Sequence, residues 1–479
     1  MAPVPQKHLE IANERFEQYQ RLQRRGFICL EDDFLPAVHY PAITMYPPST
    51  ADTILDATYK PPADGRFVVY VHLPFCIKCC TFCHYPNIYG DAEAEKERYL
   101  DALKIEMNLW REKLGVNKIS ARSVLIGGGT PTFLTPKQLE RFLKDFTDVF
   151  DLSTNRQFNY DVDPVTLLGE TGRERLDILQ SYGVDRLTIG VQAMDNEILK
   201  RMNRHHGIEE NKEAVAICKA RGFQLDIEFI FGYPGQTLEL WYDEMLRAIA
   251  LDTDEIQFYR LKLIPYGDRI GTITRKVARH DEKMVSIADT VRMKSMAATV
   301  SAEHGYHEYL LRRVFAKEKR FYSRYAYDQC CNLVDTIGIG LTAFSSLNDR
   351  FGLNTQTFDE YYEHIGRREI PINRGLIRNQ DQQLRWNTIL PLKNHFLRKK
   401  DFKRNTGVDF EDVFREKRGV LRDAGLIFET PEKVELTELG RFFADEAAHQ
   451  FYHPDFAPFP KSCYNDGDLN PYRNNHAFG

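Results

Sequence analysis

No stretch of eighteen consecutive apolar residues occurs in this sequence of 479 residues, so no part of it has the length and hydropathy of a membrane-spanning helix. Nor is there an excess of positive charge. The formal net charge is −5 and no segment carries a clear basic surplus, which argues against a nucleic-acid partner. The opening residues, MAPVPQKHLEIANERFEQYQRLQRR, lack the apolar stretch of a secretory signal. The expected location is therefore a reducing cytoplasm, where the nine cysteines serve as ligands or buried thiols rather than disulfides. Internal repeats and low-complexity tracts are missing as well.

What the sequence does contain is an alternation. Residues 1–65 read as a partly helical lead-in that ends in a PPADG linker at 61–65. From residue 66, short apolar runs (RFVVYVHLPF, SVLIGGG, QFNYDVDP, RLTIGVQA, LDIEFIFGYP, EIQFYRLKLI) alternate with amphipathic helical stretches. That rhythm predicts an α/β fold with a parallel sheet built from βαβ units. Polar and glycine-rich residues recur at the strand ends, so a partial (β/α)6 barrel over 66–290 is expected, with its chemistry at the C-terminal strand ends. Residues 291–379 are expected to form a connecting, substrate-proximal region of helices and loops. Residues 380–455 read as a mostly helical, winged-helix-like cap, and 456–479, rich in Pro, Asn and Asp, as a poorly ordered tail.

Four of the nine cysteines lie in eight residues, Cys76-Ile-Lys-Cys79-Cys80-Thr-Phe82-Cys83, directly after the first expected strand. Cys76, Cys80 and Cys83 have CxxxCxxC spacing. Thiolates hold iron–sulfur clusters, normally four to a cluster. Three on one loop leave one iron open to the amino and carboxylate groups of an amino-acid-like cofactor. Zinc is the competing reading, through Cys76 with Cys79 or Cys80 with Cys83, but tetrahedral zinc usually draws on two separated knuckles. Cys330-Cys331 has the wrong spacing for a second one. Cys79 is taken as a bystander thiol.

Further motifs fall at successive strand ends. Ile126-Gly127-Gly128-Gly129-Thr130-Pro131-Thr132 offers backbone that a ligand can approach closely. Tyr160-Asp161-Val162-Asp163-Pro164 and Asp226-Ile227-Glu228 each place two acids at alternate strand positions. Gly190-Val191-Gln192, followed by Arg204, supplies an amide and a guanidinium; the latter suits a carboxylate through its bidentate fork.

Taken in order, these motifs and the later GIGLTAFSS segment resemble the oxygen-independent coproporphyrinogen III oxidase-like branch of radical S-adenosylmethionine (SAM) enzymes, over roughly residues 66–450. The resemblance implies a [4Fe-4S] cluster on Cys76, Cys80 and Cys83. It implies SAM contacts from Tyr70, Phe82, Gly128, Gly129, Thr130, Asp161, Gln192, Arg204 and Glu228, with Tyr70 and Glu228 also assigned catalytic roles. Three departures stand out. His84-Tyr85 follow the third cysteine where the branch's decarboxylases have Gly-Cys, Asp161 stands in place of Glu, and Glu228 in place of Asp.

The activity so implied is cleavage of SAM to a 5′-deoxyadenosyl radical, in an oxygen-sensitive enzyme. Because the decarboxylase-specific cysteine is missing, the leading expectation is C-methylation or cyclopropanation of an unsaturated or tetrapyrrole-like small molecule using a second SAM. Coproporphyrinogen oxidation or other tetrapyrrole chemistry is the alternative. A haem-carrying chaperone, with His72, His84, His205 or His206 as ligand, is the third reading. The implied electron donor is a flavodoxin or ferredoxin.

Overall fold

A computed structural model describes residues 3–30, 37–90, 92–264 and 270–479. The lead-in forms helix α1 (Gln6–Arg24). Then come six strands: β1 (Arg66–Leu73), β2 (Ile119–Gly128), β3 (Phe158–Val162), β4 (Arg186–Gln192), β5 (Gln224–Phe231) and β6 (Glu255–Arg260). Each lies parallel to the next in chain order. Helices α2 (Glu93–Leu114), α3 (Pro136–Val149), α4 (Gly169–Ser181), α5 (Ile208–Ala220) and α6 (Leu238–Ala250) join them in turn. This is the expected partial (β/α)6 barrel.

Local chemistry sets the element boundaries. Thr135 and Gln138 form a reciprocal capping box at the start of α3, with Pro136 in the first turn. At the other end of α2, Gly115 takes the left-handed conformation with φ 67°, which stops the helix without a Cβ penalty. The strands are buried almost throughout, as both faces of a parallel sheet must be when helices cover it.

The sheet extends further than the sequence reading expected. β7 (Val314–Ala316) adds antiparallel to β6. On the opposite side β8 (Thr336–Ile339) lies parallel to β1, and β9 (Phe344–Leu347), β10 (Arg350–Asn354) and β11 (Ile372–Ile377) continue as an antiparallel meander. The path runs β7-β6-β5-β4-β3-β2-β1-β8-β9-β10-β11, and its two edges remain apart, so the barrel is open. Residues 291–379 thus add five strands to the sheet alongside their helices and loops. Strands of three to six residues containing Gly, Ser and Asn are too short to show a period of two in the sequence. Helix α7 (Ile287–Glu303) runs across the expected boundary at 290; Trp241 Nε1 of α6 donates to its Met293 carbonyl at 2.9 Å.

The C-terminal cap has the winged-helix-like order. Helices α8 (Gln380–Lys393), α9 (Lys399–Thr406) and α10 (Arg415–Asp423) surround a three-stranded sheet. Its strands are β12 (Phe396–Arg398), β13 (Ile427–Glu429) and β14 (Lys433–Leu436), with β13 and β14 as the wing hairpin. Its core is shared with the lead-in: Tyr19, Leu22 and Phe27 belong to the same buried cluster as Leu384, Phe402 and Leu436.

The tail corrects a second expectation. It is packed, not loose. Leu30 N donates to Cys463 O at 2.7 Å, Arg25 pairs with Asp468 at 2.6 Å, and Arg385 Nη1 donates to Asn475 Oδ1 at 2.8 Å. Leu469 is fully buried. A Pro- and Asn-rich composition signals solvated chain only while no neighbouring surface is there to satisfy its backbone and cover its few large side chains. Among the described residues, no helix is long and apolar enough to cross a membrane.

Candidate active site

β1 ends at Leu73, and Pro74 turns the chain into the cysteine segment. Phe75–Cys76 pairs in parallel with Ile88–Tyr89, which closes the intervening residues into a loop. The loop is tied to neighbouring strand ends. Thr81 N donates to Met202 O at 3.1 Å, the hydroxyls of Thr81 and Tyr233 lie 2.7 Å apart, and Asn203 Nδ2 donates to Cys79 O at 2.7 Å.

Each sulfur of the CxxxCxxC set has its own donor. Thr130 Oγ1 lies 3.8 Å from Cys76 Sγ, Arg204 Nη1 lies 3.1 Å from Cys80 Sγ, and Asn87 Nδ2 lies 3.7 Å from Cys83 Sγ. Cys79 behaves differently; its thiol donates to the Cys80 carbonyl at 3.6 Å. Burial pushes the Cys76 thiol well up, and the Thr130 hydrogen bond opposes it, so the thiolate needs a cation to bind. Among the described residues, no three Cys, His, Asp or Glu side chains converge on a single metal ion. A four-iron cluster spreads its thiolates around a larger body, and hydrogen bonds to the sulfurs are a normal part of its surroundings. The residues present fit that group.

Arg204 organises one side of the site. Its Nη2 donates to Asp163 Oδ2 at 2.8 Å and to Gly190 O at 2.9 Å, and its Nε donates to His206 Nε2 at 2.9 Å. His206 is held neutral: burial, then the Arg204 charge, lowers it to about 3, so its Nε2 can accept. Burial works to raise Asp163, but Arg204 and His205 outweigh it and leave the carboxyl at about 2. It is an anion clasped by Arg204 and by His205 Nε2 at 3.0 Å.

The opposite side is built around Gly127 and Gly128. A Cβ on Gly127 would lie 2.5 Å from Asp161 Oδ2, and one on Gly128, where φ is +115°, would lie 2.9 Å from the His72 ring. Only glycine lets β2 approach these side chains. Tyr70 OH and His72 Nδ1 lie 2.9 Å apart, and burial lowers His72 to about 4. Asp161 and Glu228 share the barrel interior. Burial raises both carboxyls to about 7; Arg186 opposes this at Asp161, and the Asp161 charge adds to it at Glu228. Tyr259 OH donates to Glu228 Oε1 at 3.1 Å. Beneath them Arg186 pairs with Asp226 and Glu255 at 3.0 Å each.

Most of the expected site residues gather here. Thr130 and Gly129 are spent on the cysteine loop, through Thr130 N to Phe75 O at 2.6 Å and Gly129 N to Leu73 O at 2.9 Å. Gln192 ends β4 at φ +70°, after an irregularity in its pairing with β5. Such a conformation is costly for a non-glycine residue and is typical of functional strand ends. Phe82 points away, into the apolar cluster of Leu199, Met202 and Tyr233. Arg204, expected at the SAM carboxylate, has all three nitrogens engaged by the protein. Each of the four expected haem-ligand histidines already has a bond to the protein. Asn87 and Tyr259 were absent from the expected site set, and Asp163 and His206 were read only as one of an acid pair and as a candidate haem ligand, not as partners of Arg204; these roles depend on where β3 to β6 bring them.

Similarity to known proteins coincides with this geometry. Residues 70–246 match the radical SAM superfamily. The chain is 26% identical over 404 residues to oxygen-independent coproporphyrinogen III oxidase of Helicobacter pylori, covering 80% of this chain and 85% of that protein. It is 25% identical over 385 residues to the Escherichia coli K12 oxidase of the same name, covering 78% and 82%. It is 26% identical over 392 residues to the heme chaperone HemW of Bacillus subtilis, covering 80% and 98%. The solved coproporphyrinogen III oxidase from Escherichia coli, a radical SAM enzyme, superposes with a TM-score of 0.71 at 22% identity, covering 89% of this chain and all of that one; at that identity the likeness is one of fold.

Proposed function

We propose that the chain is a radical SAM enzyme of the oxygen-independent coproporphyrinogen III oxidase branch, and that Cys76, Cys80 and Cys83 hold its [4Fe-4S] cluster. The observation that carries this is the separate donor to each of the three sulfurs. When bound, the cluster and SAM supply reductive SAM cleavage and hydrogen abstraction from carbon.

The chain's own residues supply the setting. Arg204 places a charged donor beside Cys80 and steadies its sulfur as a ligand. Gly127, Gly128 and the Tyr70–His72 pair shape the wall that faces Asp161. Asp161 and Glu228, each with its pKa near 7, can accept or donate hydrogen bonds to a ribose or a sulfonium-bearing ligand. Glu228, held by Tyr259, is the group we assign to proton handling, with Tyr70 opposite.

For the reaction itself we infer radical C-methylation or cyclopropanation of an unsaturated or tetrapyrrole-like substrate with a second SAM, with a flavodoxin or ferredoxin as electron donor. Support comes from His84-Tyr85 at the position of the decarboxylases' Gly-Cys. Both ring nitrogens of His84 bond to the chain after β6, Nε2 to Lys262 O and Nδ1 from Gly271 N, each at 3.1 Å. Coproporphyrinogen-type decarboxylation is the second reading, supported by relatives aligned over most of this chain.

The test is anaerobic: reconstitute the protein with iron and sulfide, add SAM and reductant, and assay 5′-deoxyadenosine together with S-adenosylhomocysteine over unsaturated and porphyrinogen substrates. Both products support methyl transfer. Deoxyadenosine alone supports decarboxylation. A cluster-loaded protein that forms neither product and binds haem is the chaperone-type outcome and overturns both readings.

A further inference from the structure

Outside the barrel, a cleft of about 850 Å³, its open mouth included, runs between β6, α7, β7 and residues 441–446 of the cap. Strand alternation separates it from the barrel interior. Tyr259 turns inward to Glu228, so Phe258 and Arg260 turn outward. Phe258 meets Trp241 of α6 and Phe315 of β7, with ring centroids 5.9 and 5.5 Å away.

The floor is apolar, formed by Phe231, Phe258, Phe315, Val291 and Ala297. The rim is cationic, with five Lys or Arg side chains against three carboxylates. Those carboxylates are already in use or mispaired. Asp445 is held by both Arg312 at 2.6 Å and Arg313 at 2.8 Å, and Glu308 faces His395 at 3.5 Å. Lys294 sits 4.6 Å above the Phe442 ring. At the cap edge, Arg441 Nε and Glu446 Oε2 are buried and have no hydrogen-bond partner among the described residues. A buried guanidinium N–H is seldom left without an acceptor.

We propose that this cleft binds an amphiphilic carboxylate, its apolar body on the phenylalanine floor and its carboxylate accepting from Arg441 Nε–H beside Glu446. Burial raises the Glu446 carboxyl, with the Lys294 charge opposing it. Because the walls come from the barrel, the cap and Tyr19 of the lead-in, an occupant joins all three and stabilises their docking. The site does not depend on the cluster chemistry.

The test is titration calorimetry of the full chain with dodecanoate below its micelle concentration, with dodecanol and propionate as controls. The expected result is one saturable site for dodecanoate, at least tenfold weaker binding of each control, and at least tenfold weaker dodecanoate binding in Arg441→Gln. Ala298→Phe, which fills the cleft without changing charge, should abolish binding, and Cys80→Ser should leave it unchanged. Absence of a saturable site in the folded parent, or equal binding in Arg441→Gln and Ala298→Phe, overturns the proposal. Loss of binding in Cys80→Ser alone would place the ligand in the barrel instead.

Discussion

Arg204 Nη1 lies 3.1 Å from the Cys80 sulfur while Nη2 of the same guanidinium holds Asp163 at 2.8 Å. One side chain therefore fixes a sulfur and a carboxylate at once, and its charge is what lets the Asp163 carboxylate be buried. Arg204→Met should lose about 10- to 100-fold in cluster affinity or in SAM cleavage, the usual cost of removing a group that orients a ligand. The cluster that remains should have a more negative reduction potential, since a donor to sulfur has gone. Iron per chain and a redox titration monitored by electron paramagnetic resonance read both effects. An unchanged potential would refute the assigned role.

Cys79 and Cys80 are adjacent but differ in surroundings. Cys80 Sγ accepts from Arg204, whereas Cys79 Sγ donates to a backbone carbonyl. Cys79→Ser should retain a full complement of iron and sulfide after reconstitution, whereas Cys80→Ser should retain little or none. Equal loss in the two variants would move the ligand set.

Much of this was legible before any coordinates. The six barrel strands show as apolar runs because both faces of each are buried, and the cysteine loop shows through its spacing alone. β8 to β11 did not show. FSSL and RFGLN are too short for alternation and too rich in small residues to stand out. The sulfur donors were equally hidden: Asn87 looks like any loop asparagine, and Arg204 reaches Cys80 only because β4 and the helix Asn196–Arg201 deliver it there. Phe82 entered the expected set through its place beside Cys83 in sequence, and its own surroundings are apolar.

Glu228 gives stability a pH dependence of known sign. Burial, then the Asp161 charge, raises its carboxyl from 4.5 to about 7, so the folded chain binds this proton more tightly than the unfolded one. Its contribution is fully present below about pH 4.5 and is lost as pH rises from there to about 7. Glu228→Gln removes that loss. Without ligands, the variant should exceed the parent by about 1–3 kcal/mol near pH 8, and the gap should close near pH 4. Urea unfolding at the two pH values checks it; a gap independent of pH would contradict the assignment.

His84 clasps Lys262 O and Gly271 N, and Thr81 O accepts from Ile273 N at 2.8 Å, so the cysteine loop is sewn to the chain that leaves β6. His84→Gly removes two of these three bonds without touching a sulfur donor. Iron content should stay within about twofold of the parent, while deoxyadenosine formed per product rises by about tenfold as positioning of the substrate loosens. Product and deoxyadenosine measured together decide it; an unchanged ratio would confine His84 to a structural role.

The pairing of lead-in and tail has a consequence for how the chain is made. Arg25 and Cys29 find Asp468 and Tyr464, partners translated much later. During synthesis, strands β1 to β6 can assemble from neighbouring segments as they emerge. The first helix has to wait, because contacts of such sequence separation close slowly and late. Until the cap leaves the ribosome, Tyr19, Leu22 and Phe27 present an uncovered apolar face. A nascent chain stalled before the cap would therefore be a client for chaperones rather than a nearly finished protein.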